Sequence, residues 1–144
     1  MITVSAVPTE HLAVCWPHVE TFLDGAAKRT YGRYTVSNIY DRIEEDGYQL
    51  WVAFDDDNKI KGAVVTNILD YPQRKVLSMT YCGGENLPEW KDPMLDILRR
   101  YAADMGCDCI EAVARKGWAK VFRADGYKER WVTFELPLKG AEHG

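Results

Sequence analysis

One stretch, Val76 to Met105, constrains this chain more than any other. Val76-Leu77-Ser78-Met79-Thr80-Tyr81-Cys82 reads as a strand. Gly83-Gly84 breaks it as a plain turn, and a loop runs on through Asn86, Pro88 and Trp90. Asp92-Pro93 then reads as a helix start, because Asp is a favoured N-cap and Pro a favoured first helical residue. Met94, Leu95, Ile97, Leu98, Tyr101, Ala102 and Met105 repeat at helical spacing to Gly106. Cys107 to Ala114 is strand-like again. Strand, helix and strand in that order make a crossover between two parallel neighbours. The expectation is a helix from Pro93 to Met105, with Met94, Leu98, Tyr101 and Met105 facing the sheet.

The remaining segments arrange themselves around that unit. Ile2 to Val7 alternates as a first strand. Thr9 can cap a helical pattern through Leu12, Cys15, Trp16, Val19, Phe22, Leu23 and Ala26, and Pro17 predicts a kink or two short helices. Thr35 can cap a second helix carrying Val36, Ile39, Tyr40 and Ile43. Tyr48 to Phe54 is apolar on both faces and hence central. A turn at Asp55 to Lys59 returns the chain along Ile60 to Leu69, so the middle of the chain is a three-stranded meander. After the crossover, Trp118, Val121 and Phe122 mark a short helix, and Tyr127 to Leu138 reads as a strand that closes the sheet. The fold class is therefore α/β with a mixed sheet, in one domain over residues 1–138, with 139–144 a flexible tail.

Composition narrows the function classes. With 144 residues the chain can bury roughly 70% of its unfolded surface as one domain. The net charge is −4 and the basic residues come in scattered pairs, which argues against duplex nucleic acid. No apolar run spans a membrane and no signal peptide opens the sequence, so a cytoplasmic protein is expected. The four cysteines match no zinc or redox spacing and read as buried thiols in a reducing compartment. His11 and His18 have no carboxylate beside them, and no metal site is expected. Five Trp and eight Tyr raise the prospect of a protein partner or self-association.

Ile60-Lys61-Gly62, Tyr101-Ala102-Ala103-Asp104-Met105-Gly106-Cys107 and Val121-Phe122-Arg123-Ala124-Asp125-Gly126-Tyr127, in that order along a β-α-α-β-β-β-α-β-α-β chain, resemble the GNAT superfamily of acetyl-CoA-dependent N-acetyltransferases. The Trp-Pro-His opening, the Gly-Gly pair and Arg115-Lys116-Gly117-Trp118 are similar to GNAT-like proteins encoded by tailed phages, which would place the protein in a host cytoplasm or a virion. The resemblance implies that the strand bearing Met79 and Tyr81 would hold the cofactor's pantetheine arm through backbone groups. Two departures stand out. The family's Gln/Arg-x-x-Gly-x-Gly/Ala pyrophosphate cradle corresponds to Asn86-Leu87-Pro88-Glu89-Trp90-Lys91, which has no glycine, and the family's general-acid tyrosine is Phe122, which has no proton to donate.

Four features carry candidate chemistry. Glu111, within an apolar strand, would have a raised pKa if covered and could serve as a general base; an ion pair or a place at the open sheet end is the plainer alternative. Tyr81 is either part of a cofactor arm site or ordinary sheet packing. Gly83-Gly84 could admit a ligand close to the backbone, although a turn suffices. Trp118 beside Arg115-Lys116 is either an exposed hot spot or a core residue next to a solvated pair. Two functions remain. One is a non-catalytic GNAT-fold protein acting by surface recognition, with no cofactor expected. The other is an acetyl-CoA-dependent acetyltransferase of a small or protein amine.

Overall fold

The computed structural model describes residues 1–113 and 116–139. Five strands form one sheet: β1 (Thr3–Val7), β2 (Gln49–Phe54), β3 (Ile60–Asp70), β4 (Lys75–Gly84) and β5 (Cys109–Ala112), in spatial order β1-β2-β3-β4-β5. The first four are antiparallel neighbours, and β5 lies parallel to β4 with Val76 opposite Cys109 and Met79 opposite Ala112. Helices α1 (Leu12–Lys28) and α2 (Val36–Glu45) cover one face; α3 (Leu87–Asp104) and α4 (Lys116–Ala124) cover the other. The mixed sheet, the meander and the parallel crossover are those expected from the sequence.

Alternation divides the core. In β2, Leu50 and Val52 join Leu12, Val19, Leu23, Ile39 and Ile43 on the α1–α2 face. Trp51 and Ala53 turn the other way, to Leu77, Met94, Leu95 and Leu98 on the α3 face. Thr35 caps α2 in a reciprocal box: its hydroxyl accepts from Asn38 N at 3.3 Å and the Asn38 side chain accepts from Thr35 N at 2.8 Å. Asp108 pins the start of the parallel pair, its carboxylate accepting from Lys75 N at 2.9 Å while its own N–H donates to the Lys75 carbonyl at 2.7 Å.

Several local expectations are corrected. Pro17 does not split the first helix, since α1 is continuous from Leu12 to Lys28. A 3-10 turn at Thr9–His11 precedes it, and Thr9 makes no cap bond. Helix α3 begins at Leu87, six residues before Pro93, behind Asn86 in the left-handed conformation. Asp92 and Pro93 lie inside the helix, and Asp92 is not its cap. The reason is tertiary: the early start carries Trp90 into the core on the α3 face of the sheet, where it is 1% exposed. Met105 is the exposed C-cap and does not join the inward row of Met94, Leu98 and Tyr101. Gly83-Gly84 is the end of β4, not a turn. The expected closing strand at 127–138 joins no sheet: Trp131, Val132, Phe134, Leu136 and Leu138 are all exposed. Ala114, Arg115 and residues 140–144, which carry the end of the expected β5, half of the basic pair and most of the expected tail, lie outside the described residues.

Candidate functional site

The sheet opens at a bulge. Val65 pairs with Tyr81 and Thr66 with Met79, which leaves Thr80 as an extra residue in β4. Parallel pairing with β5 stops at Met79. One inserted residue also inverts the side-chain alternation. Leu77 and Met79 face α3, whereas Tyr81, two residues further on, faces α1 and α2. Beyond the bulge, β4 keeps β3 on one edge and parts from β5 on the other.

A cleft of about 230 Å³ lies at that opening, lined by Thr21, Phe22, Gly25 and Arg29 of α1, the Gly83-Gly84 end of β4, Leu87 and Trp90 of α3, and Trp118 of α4. Arg29 Nη2 donates to the Cys82 carbonyl at 3.2 Å across it. Trp90 and Trp118 form one wall, 6.2 Å apart, and a ladder of rings continues behind them, Trp118 to Phe122 at 5.5 Å and Phe122 to Tyr127 at 4.8 Å. Trp90 Nε1 donates to the Glu85 carbonyl at 2.9 Å, which satisfies the one polar atom of a buried indole.

The glycines explain how Trp90 fits. A Cβ on Gly62 would lie 2.4 Å from its ring, and one on Gly84 2.7 Å from it. A Cβ on Gly83 would meet the Phe22 carbonyl of α1 at 2.2 Å. The glycine pair therefore admits protein, an indole on one side and a helix backbone on the other, and the same holds for Gly62 in Ile60-Lys61-Gly62.

Charge at the β4–α3 corner is acidic. Glu85 pairs with Lys59 at 3.4 Å and Glu89 with Lys61 at 3.9 Å. The Asn86 amide donates to Glu89 at 3.2 Å. Lys91 lies between Asp92 at 3.1 Å and Asp125 at 3.2 Å, and these two carboxylates hold its pKa above the usual lysine value.

The candidate residues from the sequence fall in different places. Met79 is buried beneath α3, paired with Ala112 at the last rung before the opening. Tyr81 is buried on the opposite face, edge-on to Tyr34 at 5.9 Å, and its hydroxyl is buried with no hydrogen-bond partner among the described residues. Burial pushes its pKa up to about 12, against the opposing pull of Arg42. Arg42 lies over the Tyr34 ring at 4.4 Å and donates to the hydroxyls of Tyr34 and Tyr48. Glu111 is half-buried on β5 opposite Ser78, and its carboxylate makes no ion pair or hydrogen bond among the described residues. It sits one rung before the last pair, Met79–Ala112, and none of the cleft-lining residues is its neighbour in the sheet. Trp118 is half-buried in the cleft wall, between the two alternatives stated for it. Phe122 is 7% exposed within the core.

Sequence reasoning missed Trp90, Arg29 and the Arg42–tyrosine cluster. Trp90 had a signal, since 90, 94 and 98 continue the helical row one turn before Pro93. Arg29 and Arg42 had none, because their partners are 53 residues away for the first and are scattered among three tyrosines for the second. The cysteines are thiols, and no group of three or more His, Cys, Asp or Glu among the described residues is placed to hold a metal. No helix among them is long and apolar enough to cross a membrane.

No family model matches the chain, and no curated protein matches it. Solved structures do. A probable acetyltransferase superposes with a TM-score of 0.71 at 14% identity, over 96% of this chain and 99% of that one. A predicted acetyltransferase with acetyl-CoA from Clostridium acetobutylicum gives 0.69 at 14% identity, over 95% and 96%. The ribosomal-protein-alanine N-acetyltransferase from Brucella melitensis biovar Abortus 2308 gives 0.71 at 11% identity, over 96% and 100%. At these identities the likeness establishes the fold: the chain has the mixed α/β architecture of the GNAT acetyltransferases.

Proposed function

We propose that this protein uses the acetyltransferase fold for recognition and not for acyl transfer, as a phage-encoded component in keeping with the sequence resemblance. The observation that carries the reading is the start of α3. A helix N-terminus holds a pyrophosphate through unpaired N–H groups and a favourable dipole. At this one Pro88 removes a donor, and the Glu89 N–H donates to the Asn86 carbonyl at 2.9 Å. Glu85 and Glu89 add carboxylates where an anion would lie, and the nearby Lys59, Lys61 and Lys91 are already engaged with acids. The residues present do not suit a dinucleotide-like cofactor. Phe122 offers no proton to a leaving thiolate. What the cleft does present is the half-buried Trp118 and the exposed Arg29, residue types that anchor binding hot spots.

Calorimetric titration with acetyl-CoA, paired with a thiol-release assay over a panel of amines, tests this. The expected result is a dissociation constant weaker than roughly 100 μM, less than about 5.5 kcal/mol of binding, and no released thiol. Micromolar binding with turnover would establish the second reading, an acetyl-CoA-dependent N-acetyltransferase of a small or protein amine. One feature favours that reading: the bulge at Thr80 parts β4 from β5 and leaves a strand edge beside the cleft.

A further inference from the structure

In the last turn of α2 one cation is surrounded by phenols and meets no acid. The Arg42 guanidinium donates from Nη2 to the Tyr34 hydroxyl at 2.7 Å and from Nη1 to the Tyr48 hydroxyl. Its Cζ lies 4.4 Å from the ring centre of Tyr34 and 5.2 Å from that of Tyr48. No carboxylate among the described residues pairs with it, although Glu44, Glu45 and Asp46 follow it in the chain. Tyr81 lies beneath, turned to this face by the bulge at Thr80, and its enclosed hydroxyl has no partner among the described residues. A polar group buried without a partner is costly and calls for a reason.

The balance of donors and acceptors supplies one. A phenol can accept and donate at once. Tyr34 and Tyr48 accept from the guanidinium, which leaves each O–H proton to give, and neither gives it to an acceptor among the described residues. Tyr81 brings a third such proton, close enough to feel the charge of Arg42. Three donors and one positive charge therefore gather with no acceptor for them. They are also held in place before any ligand arrives. The Tyr48 N–H donates to the Arg42 carbonyl at 3.2 Å, and the Tyr34 N–H to the Thr30 hydroxyl at 3.0 Å. Donors fixed in advance lose little freedom on binding.

We propose that Tyr34, Arg42, Tyr48 and Tyr81 form a binding site for the carboxylate of a small organic acid. A carboxylate only accepts, has lone pairs for all three hydroxyl protons, and carries one negative charge for one guanidinium. Phosphate suits the site less: its second charge would meet no cation, and the C-terminal end of α2 with Glu44, Glu45 and Asp46 repels it. The half-buried Tyr34, Arg42 and Tyr48 make the first contacts, and Tyr81 joins when the Tyr34 ring, edge-on to it at 5.9 Å, turns aside. The aromatic rings around the charge favour a flat, apolar body on the acid. The site shares no residue with the cleft beside Trp118, so it does not depend on whether that cleft transfers an acyl group.

Nuclear magnetic resonance titration of the full chain with benzoate, benzamide and inorganic phosphate tests the proposal. Benzoate should bind one to one with a dissociation constant of about 1 mM or tighter, and the other two at least about tenfold more weakly. Tyr81→Phe is the variant of choice, because removing an unpartnered hydroxyl does not weaken the fold. It should weaken benzoate binding about fivefold, the worth of one hydrogen bond. Arg42→Lys keeps a charge but loses the planar fork, and should weaken it about tenfold. On the unmodified protein, nuclear Overhauser contacts should join the benzoate ring protons to the rings of Tyr34 and Tyr48. No saturable benzoate binding below about 20 mM overturns the proposal. Benzamide or phosphate binding as tightly as benzoate overturns it too, as does an unchanged benzoate affinity in either variant.

Discussion

Replacing Gly62 with alanine puts the packing of Trp90 to a direct test. The new methyl would be built 2.4 Å from two ring carbons of the indole, well inside van der Waals contact. The ring has little freedom to withdraw, being 1% exposed and held by the bond from Nε1 to the Glu85 carbonyl. Gly62 itself lies on β3, the middle strand of the sheet, paired with Ala53 of β2 and Gly84 of β4, so its backbone cannot shift alone. Overpacking at such a site costs about 1–3 kcal/mol. Part of that is offset because alanine narrows the unfolded ensemble by about 0.4–1 kcal/mol relative to glycine. A net loss of roughly 1–2 kcal/mol is expected from urea unfolding followed by circular dichroism. Trp90→Leu alone should cost about 3 kcal/mol or more, through lost burial and a stranded carbonyl. In the double variant the methyl occupies vacated space, so the two losses should fall short of additive by 1 kcal/mol or more. A Gly62→Ala protein within about 0.5 kcal/mol of the parent, or strictly additive losses, would refute the placement of Trp90 and with it the start of α3 at Leu87.

Three further outcomes follow from particular residues. Tyr81 has a folded pKa near 12 against about 10 unfolded, so its contribution is fully present below pH 10 and lost as pH rises toward 12. Relative to Tyr81→Phe, the parent should lose on the order of 1–3 kcal/mol across that window, and parallel stability curves would contradict the burial of the hydroxyl. Asp92→Ala, at an exposed interior position of α3, should change stability by no more than about 0.5 kcal/mol, whereas a loss of 1 kcal/mol would restore Asp92 as the helix cap. Titration with a thiol reagent in denaturant should find all four cysteines reactive, and two missing thiols would mean a disulfide.

Local chemistry in the chain was enough for the order of elements as far as α4, the parallel crossover and the capped second helix. Each of these rests on a signal only a few residues long, such as the Gly106 stop between helical and strand patterns or the Thr35 that precedes Val36, Ile39, Tyr40 and Ile43. Tertiary structure decided the rest. Asp92-Pro93 is a sound local helix start, but burying one tryptophan is worth more than a cap, so α3 begins a turn and a half earlier. Trp131 to Leu138 alternates as a strand should, yet pairing needs a neighbouring edge, and alternation does not supply one. The bulge at Thr80 moves Tyr81 to the opposite face from Met79, although in the sequence the two stand two residues apart in one strand-like run. Side-chain alternation follows from the backbone of a single strand, but an inserted residue is defined only against the strand beside it.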